Sequence, residues 1–263
     1  MTPGVVMLLT GPLQSWGGPA PGIYERGTGA MPSLSGVIGM VSNALGRQRT
    51  DPIDDLAAGA RLAVRADRPG TPMEDYHTLG NVLNAEGKLL RHSVPTRRWY
   101  LQDAAFLAVY TPPADGMPAV EILDALSSPR RPLYLGRRSC PPAERVPLCV
   151  AADRAPEEVL ATAALLREPE ADGTRQWLSD AEYFEGATDG ARSVSVLVEM
   201  SAPDDIGHQA TLRPDAPTTF DPRRLAHMNR RVLSRSIAMP LAACAGRGPD
   251  GVMRLRESLG ATP

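Results

Sequence analysis

Residues 4–18 read GVVMLLTGPLQSWGG, and this stretch decides the fold more than any other part of the chain. Val5–Thr10 is a short apolar run between two Pro/Gly pairs, which predicts a buried first strand. The turn that follows is rich in glycine, so its backbone N–H groups can approach a phosphate closely. In that turn Gln14 and Ser15 offer hydrogen bonds and Trp16 offers a stacking face. On residue types alone, a tight turn with Trp16 plugging the core is the favoured alternative.

Outward from this strand, the apolar patterns predict two strand–helix–strand units separated by an insertion. The predicted elements are a strand at Val5–Thr10, a helix capped by Ser33 or Ser35 that ends at Gly46, a short helix at Ile53–Gly59, a strand at Arg61–Ala66, a strand at Asp103–Tyr110, a helix at Val120–Leu126, and short strands at Pro132–Leu135 and Val146–Val150. Residues 68–100 show no pattern, and so long a segment predicts an excursion with a function. The order fits an α+β, ferredoxin-like split βαβ layer with helices on one face.

The chain changes character after about residue 155. Pro156–Leu166 predicts a helix rich in alanine and leucine, and Ser193–Met200 predicts a strand. Arg231–Ile237 alternates like a strand, but a helix over Leu225–Ile237 is nearly as good an interpretation.

Charge is unevenly distributed along the 263 residues, although the net charge is only −2. Residues 91–150 carry 8 basic and 5 acidic side chains, residues 151–215 carry 5 and 14, and residues 216–263 carry 8 and 3. Two basic stretches therefore flank an acidic one. The net charge argues against a protein that coats nucleic acid by bulk electrostatics. Lys88 is the only lysine; arginine suits phosphate and base edges, but a GC-rich genome explains the same bias equally well.

Several function classes lack their sequence signals. The chain has no Rossmann or Walker fingerprint, no HExxH motif and no nucleophile elbow. Its three cysteines and four histidines are scattered, so we expect no metal site, and we expect no cofactor. No apolar run approaches membrane-spanning length and the start lacks a basic secretion signal. We therefore expect a cytoplasmic protein that makes no contact with a membrane.

Three further motifs carry groups that bind RNA. An aromatic residue beside a histidine, at Tyr76-His77, suits stacking on a base and bonding its edge, although a lone histidine is more often structural. Arg97-Arg98 precedes two aromatics, a pattern typical of single-stranded RNA surfaces or of a merely solvated pair. Arg137-Arg138-Ser139 follows a glycine and can present a bend that grips phosphate.

Taken together and in order, these motifs resemble a known family. The residues that carry the resemblance are GPLQSWGG at 11–18, SGVIGMVSNALG at 35–46, YHT at 76–78, RRWYLQDAAF at 97–106 and PLYLGRRSCP at 132–141. They closely resemble the CasD subunits of type I-E CRISPR Cascade, which form the five-numbered Cas protein family of the RAMP superfamily. The resemblance covers roughly residues 3–150 and fades after residue 155.

The resemblance implies a ferredoxin-like domain over residues 1–155, with a protruding thumb at about 68–102, and a smaller C-terminal subdomain over 156–263. It implies a non-catalytic RNA-binding subunit that caps the 5′ handle of the crRNA and supports antiviral recognition of target DNA indirectly. The thumb would contact the backbone subunit CasC, and contact with the large CasA subunit is expected on the same ground. In this family type, guide processing belongs to a separate subunit, CasE.

The resemblance also implies a set of RNA-binding residues: Gln14, Ser15, Trp16, Gly17, Arg26, Thr28, Ser35, Tyr76, His77, Arg97, Arg98, Arg137, Arg138 and Ser139. One loop departs from the family pattern, because Ala30 and Leu34 stand where basic residues are usual. Two alternatives remain at this point. One is a metal-independent endoribonuclease that uses His77 as base with Tyr76 and Arg97. The other is a scaffold protein that binds no RNA.

Overall fold

The computed structural model describes residues 2–18, 24–84, 86–89, 93–167, 193–202, 210–240, 243–246 and 248–261. In these ranges the strands are β1 Gly4–Thr10, β2 Leu13–Gln14, β3 Glu25–Arg26, β4 Arg61–Arg68, β5 Thr71–Leu79, β6 Val94–Gln102, β7 Ala105–Thr111, β8 Pro147–Ala151, β9 Ser193–Ser201, β10 Thr211–Thr219 and β11 Ala226–Pro240. The helices are α1 Leu34–Ala44, α2 Asp54–Ala57, α3 Ala119–Ser127, α4 Pro156–Thr162 and α5 Gly248–Leu259. The protein has a mixed α/β fold.

A seven-stranded antiparallel sheet in the order β10-β11-β9-β4-β7-β1-β8 forms the centre of the protein. Every residue of β1 is buried, because both faces of the sheet are covered there. Val5, Met7 and Leu9 belong to one apolar cluster with α1 and α3. Val6 and Leu8 point the other way, into a second cluster with α4 and α5. This two-sided burial is why the β1 sequence is continuously apolar rather than alternating.

Helix α1 begins where the sequence predicts. Ser33 is the N-cap, and its Oγ accepts a hydrogen bond of 3.2 Å from the backbone N of Gly36. Capping of this kind satisfies an N–H group that the helix itself leaves unpaired. Val37, Ile38 and Val41 form the buried face of the helix. The chain leaves the helix at Gly46, whose φ is +77°.

A second, four-stranded sheet contains the predicted excursion. Strand β6 lies between β2 and β3 and also pairs with β5. The β5–β6 hairpin runs through nine antiparallel pairs, from Thr71↔Gln102 to Leu79↔Val94. Residues of β5 are exposed or half-buried throughout. A strand with little burial on either face shows no apolar alternation, which is why the sequence showed no pattern over β5.

Some predicted elements differ from the structure. The strand predicted at Pro132–Leu135 is wrong, because these residues form a bent segment outside any strand. The helix alternative for Leu225–Ile237 is also wrong, since this segment lies in the long strand β11. The helix predicted from Pro156 ends at Thr162. Much of the acidic stretch, at 168–192 and 203–209, lies outside the described residues. In the described ranges, no helix is both long enough and apolar enough to cross a membrane.

Candidate nucleic-acid interface

The turn after β1 is held by the side chain of Gln14. This residue is fully buried, and its Nε2 donates to the carbonyl oxygens of Leu9 at 3.1 Å and Ala104 at 2.9 Å. Its Oε1 accepts a hydrogen bond of 2.9 Å from Trp16 Nε1. A buried amide with its groups satisfied in this way fixes the shape of the turn. The structure therefore gives Gln14 a positioning role, with no side-chain surface left for a ligand.

Trp16 lies in the core rather than on the surface. Only 3% of the residue is exposed, and its ring packs against Gly36 of α1. Its backbone N donates to Thr28 Oγ1 at 2.9 Å, which ties the turn to the next loop. A ring this buried presents no face to a base, so its position matches the core-plug alternative. Gly17, in contrast, is exposed and has a φ of +75° with open space around it.

The Arg137-Arg138-Ser139 segment forms a tight turn that docks on the glycine-rich turn. The Leu135 N donates to the Cys140 carbonyl at 2.7 Å, and the Ser15 N donates to the Leu135 carbonyl at 3.0 Å. Gly136 has a φ of +87°, and a Cβ atom added there would lie 1.6 Å from the Ser15 carbonyl oxygen. Only glycine fits such a close approach with positive φ. We call residues 135–140 the arginine turn.

Arg137 connects the arginine turn to two other segments. Its Nη1 donates to the Trp99 carbonyl at 3.1 Å. Its Nη2 donates to the carbonyls of Arg26 at 2.9 Å and Gly27 at 3.1 Å. The guanidinium carbon also lies 4.8 Å from the centre of the Tyr100 ring, within the range of a cation–π contact. Arg137 therefore fixes the arrangement of the surface, while no carboxylate offsets its charge in the described contacts.

Arg138 and Ser139 of the arginine turn face solvent. Arg138 is exposed, and its side chain has no hydrogen bond or ion pair among the described residues. Ser139 Oγ lies 3.4 Å from the hydroxyl oxygen of Tyr100. Cys140 closes the turn from inside, and burial raises the pKa of its thiol, opposed by its hydrogen bond with Ser139. Arg138 is thus the most available cation of the turn.

Strand β3 pairs in parallel with β6 and adds a second arginine. The register places Arg26 beside Arg98, and cross-strand partners project from the same face of a sheet. Arg26 is exposed and Arg98 half-buried, and neither forms an ion pair in the described contacts, although Asp75 of β5 is the cross-strand partner of Arg98. Tyr100 lies two residues along β6 from Arg98, so it shares this face. Arg26, Arg98, Arg137 and Arg138 therefore belong to one surface, which we call the arginine face.

The opposite face of the β5–β6 hairpin carries less net positive charge than the arginine face. Arg97 Nε lies 3.3 Å from Glu74 Oε1, and Trp99 Nε1 donates to Glu25 Oε1 at 3.3 Å. The register pairs Tyr76 with Arg97, so Tyr76, 60% exposed, projects from this face too. Arg97 is thus partly compensated, and Tyr76 is the exposed aromatic beside it.

His77 and Tyr76 project from opposite faces, because neighbouring residues of a strand alternate. His77 Nε2 lies 2.5 Å from Asp75 Oδ2 on the face that carries Arg98. The structure therefore does not bring His77 together with Tyr76 and Arg97, as the endoribonuclease alternative requires. Among the residues that the structure describes, no group of three or more potential ligands is placed to hold a metal ion.

Two of the remaining predicted residues have local structural contacts. Thr28 Oγ1 accepts from Trp16 and donates to the Gly29 carbonyl at 3.1 Å. Ser35 Oγ lies 3.4 Å from the Ser33 hydroxyl at the start of α1. Tyr24 was not among the predicted residues but lies beside them: it is 63% exposed, and its carbonyl accepts from Arg97 N at 2.7 Å. The sequence did contain a signal for Tyr24, because an aromatic residue two positions before an arginine is a pattern found on RNA-binding surfaces.

Comparisons with known proteins agree on one family. The family described as CRISPR-associated protein (Cas_Cas5) matches residues 4–233. The CRISPR system Cascade subunit CasD of Escherichia coli (strain K12) is 36% identical over 151 residues, which is 52% of this chain. That match spans 66% of the E. coli protein, slightly less than two thirds of its length.

Solved structures give matches over nearly the whole chain. One, titled CRISPR RNA-guided surveillance complex, has a TM-score of 0.76 at 30% identity and covers 98% of this chain and 99% of that one. Another, titled Crystal structure of Cas protein, has a TM-score of 0.60 at 27% identity and covers 94% and 99%.

Proposed function

This chain belongs to the CRISPR-associated Cas5 family, and from that premise we propose that it is a non-catalytic subunit of a type I-E Cascade surveillance complex. In this proposal it binds and caps the 5′ handle of the crRNA, and it supports antiviral recognition of target DNA only indirectly. The resemblance to the E. coli Cascade subunit CasD and to a surveillance-complex chain supports the assignment to a CRISPR complex. A cytoplasmic location is part of the same proposal.

The observation that carries the handle-binding proposal is the convergence of four distant segments. Arg137 bonds the arginine turn to Trp99 in β6, to Arg26 in β3 and to the following Gly27, and the Ser15 N bonds the same turn to the glycine-rich turn. The arginine face then carries four exposed or half-buried arginines that form no described ion pair, against one carboxylate, that of Asp75. Such a surface suits distributed phosphate contacts, with its shape selecting the RNA.

The proposal includes a ferredoxin-like core in the N-terminal domain, residues 1–155. The order β4-β7-β1-β8, with α1 and α3 packed into the same apolar cluster, supports it, because a βαββαβ layer has this strand order. Residues 156–263 would form the smaller C-terminal subdomain. Its strands β9 and β11 continue the central sheet beyond β4, so this subdomain is built onto the first domain.

We further propose that the β5–β6 hairpin is the thumb, within residues 68–102, and that it contacts CasC. Three leucines at the end of the hairpin support a protein contact there: Leu79 is 40%, Leu83 61% and Leu89 60% exposed. Exposed apolar side chains gathered in this way are typical of interaction sites. Contact with the large CasA subunit stays within the proposal on family grounds.

The test is co-purification of guide RNA. A tagged form of the chain is expressed with its neighbouring subunits and a repeat array, and the bound RNA is quantified and sequenced. Arg138→Glu should lower the recovery of guides with a shared 5′ handle at least tenfold, because it reverses an exposed cation next to Arg137 on the arginine face. Arg49→Glu is the matched control, since Arg49 is an exposed arginine without a described partner outside this surface.

Equal guide recovery from the Arg138→Glu and wild-type proteins would overturn the site. If the chain is non-catalytic, preparations that lack only CasE should contain unprocessed RNA. Preparations that include CasE should contain processed guides. Processed guides without CasE would instead support the endoribonuclease alternative.

A further inference from the structure

The C-terminal basic stretch forms a surface that the handle-binding proposal does not use. Strands β10 and β11 make an antiparallel ribbon at the edge of the central sheet opposite β8. Three strands, β9, β4 and β7, lie between β11 and β1 in the sheet. In the described part of the chain, β11 pairs with β9 only from Val232 onward, so its residues 226–230 pair with β10 alone. The ribbon therefore ends as two strands, which pack on α1 and α2 through β10.

Charges on the inner face of this ribbon are paired. Arg230 donates to both carboxylate oxygens of Asp215, at 2.9 and 2.7 Å, and Asp215 Oδ2 also accepts from the backbone N of Leu34 in α1. Arg213 Nη2 lies 2.6 Å from Glu199 Oε1. These arginines hold the ribbon on the rest of the protein and have no free charge to offer a ligand.

Arginines on the outer face and at the tip are not paired. Arg231 and Arg235 alternate with Arg230 and Ser234, so they project from the side of β11 that faces away from α1, which we call the outer face. Arg231 is half-buried and Arg235 exposed, and farther along the strand Ile237 and Met239 of the same side pack into the core. Arg223 and Arg224 lie in the turn between the strands, and both are exposed. Among the described residues no carboxylate bonds any of these four guanidinium groups; the Asp221 carboxylate is engaged by the backbone N of Arg223. Residues 210–240 contain 6 arginines against 2 aspartates. Because Arg213 and Arg230 are paired, the excess positive charge belongs to the four arginines of the outer face and the tip.

We propose that the outer face and tip of the β10–β11 ribbon bind the phosphodiester backbone of duplex nucleic acid, as a second site separate from the arginine face. Arginine forks are well suited to phosphate oxygens. Arg231 and Arg235 stand four residues apart on one face, about 13 Å along a strand, so they reach different phosphates. A two-stranded ribbon also has the width that the major groove of a duplex accepts.

Duplex is favoured over single-stranded nucleic acid because the ribbon has no row of exposed aromatic rings. In the described range 210–240, Phe220 is only partly exposed and packs against the core, which leaves the small imidazole of His227 as the one exposed ring. Single-strand binders combine basic grooves with aromatic faces for the bases. Met228, 63% exposed, and Leu225, 52% exposed, lie at the tip, where apolar side chains are suited to the edges of bases in a groove.

The experiment is filter binding of the full-length chain to a short DNA duplex of random sequence, over a series of salt concentrations. If all four arginines contact phosphates, their loss makes the slope of log K against log salt shallower by about 3.6. Those contacts correspond to a ~150-fold loss of affinity between about 50 and 200 mM salt. We expect this change in Arg223→Ala/Arg224→Ala/Arg231→Ala/Arg235→Ala. About half of it is expected in each of the two double variants, Arg223→Ala/Arg224→Ala and Arg231→Ala/Arg235→Ala.

Three comparisons decide the result. Arg49→Ala/Arg145→Ala removes two exposed arginines from other loops and should leave the slope unchanged. Lysine at the four ribbon positions should restore most of the slope, which excludes a folding defect as the cause. The quadruple alanine variant should retain its guide RNA in the assembled complex. Failure of the duplex-binding proposal is therefore distinguishable from failure of the handle-binding proposal.

The proposal is overturned if the quadruple variant binds the duplex with the wild-type salt slope. The proposal is also overturned if the same four arginines bind single-stranded RNA of equal length more tightly than they bind the duplex. A variant that keeps duplex binding but loses a protein subunit on purification would identify the ribbon as a protein-docking surface instead.

Discussion

Arg137 and Arg138 are neighbours in the sequence, but the structure gives them separable roles, which alanine substitutions should reveal. Arg137 donates three hydrogen bonds to the carbonyls of Trp99, Arg26 and Gly27. Arg138 is exposed and has no described partner. We predict that Arg137→Ala lowers both stability and RNA binding, while Arg138→Ala lowers RNA binding alone.

The expected loss follows from the contacts of the guanidinium group. A hydrogen bond to a charged group contributes roughly 1.5–3 kcal/mol to stability, and a partly exposed cation–π contact about 0.5–1 kcal/mol. Arg137 is only half-buried, so water replaces part of each bond and the contributions do not add fully. We therefore expect Arg137→Ala to cost about 3 kcal/mol, against at most about 0.5 kcal/mol for Arg138→Ala.

Thermal unfolding of the purified chain measures this difference. For a protein of this size, about 3 kcal/mol corresponds to a fall in Tm of roughly 6–12 °C, and the Arg138 variant should stay within about 2 °C of the wild type. Arg137→Lys is the informative control, because lysine keeps the charge but cannot span three carbonyls. Most of the loss in Tm should therefore persist in Arg137→Lys.

The reasoning is refuted if Arg137→Ala unfolds at the wild-type temperature. It is also refuted if Arg138→Ala is the more destabilised of the two. Either result would mean that the arginine turn is held by its backbone contacts and does not depend on the Arg137 fork.

Three further perturbations test other parts of the structure. Gly136→Ala places a Cβ atom against the Ser15 carbonyl, so the arginine turn should shift and guide recovery should fall at least tenfold; wild-type recovery would contradict the close approach. Asp67→Ala leaves the fully buried Arg65 without its carboxylate and should cost about 3–5 kcal/mol in urea unfolding, whereas a loss below about 1 kcal/mol would refute the buried pair. Burial raises the pKa of Glu199, so the folded chain keeps the proton of this carboxyl group to a higher pH than the unfolded chain does. The free energy of unfolding should therefore decline as pH rises above about 4.3 toward the raised pKa. Glu199→Gln should remove that decline.

Local sequence signals predicted the central layer well. The apolar run of β1, the Ser33 cap and the alternation before Arg68 each depend on burial and capping within a few residues, and each element is present. Strand β5 was missed because exposed hairpin strands show no apolar alternation. Strand β10 contains Pro214 and Pro217 and lies at the edge of the sheet, where prolines are tolerated but conceal a strand from pattern analysis.

The candidate site was predicted as a set of residues but not as an arrangement. Sequence motifs identified the arginine pairs, yet the roles within each pair depend on contacts between segments that are distant in the sequence, such as Arg26 with Arg137, which are 111 residues apart. Trp16 and Gln14 show the same limit, because residue type suits both ligand contact and core packing, and only burial separates the two. The opposite faces of Tyr76 and His77 likewise follow from strand alternation that the sequence did not reveal.

The central claim is that the arginine face contacts the 5′ handle of the guide RNA, and ultraviolet crosslinking of the assembled complex tests it most directly. Crosslinked peptides and nucleotides are identified together by mass spectrometry. We predict crosslinks from the handle to the segments 24–28, 97–100 and 137–139, lost in Arg138→Glu and kept in Arg49→Glu. Handle crosslinks confined to other parts of the chain, or none from the handle to this chain, would contradict the account.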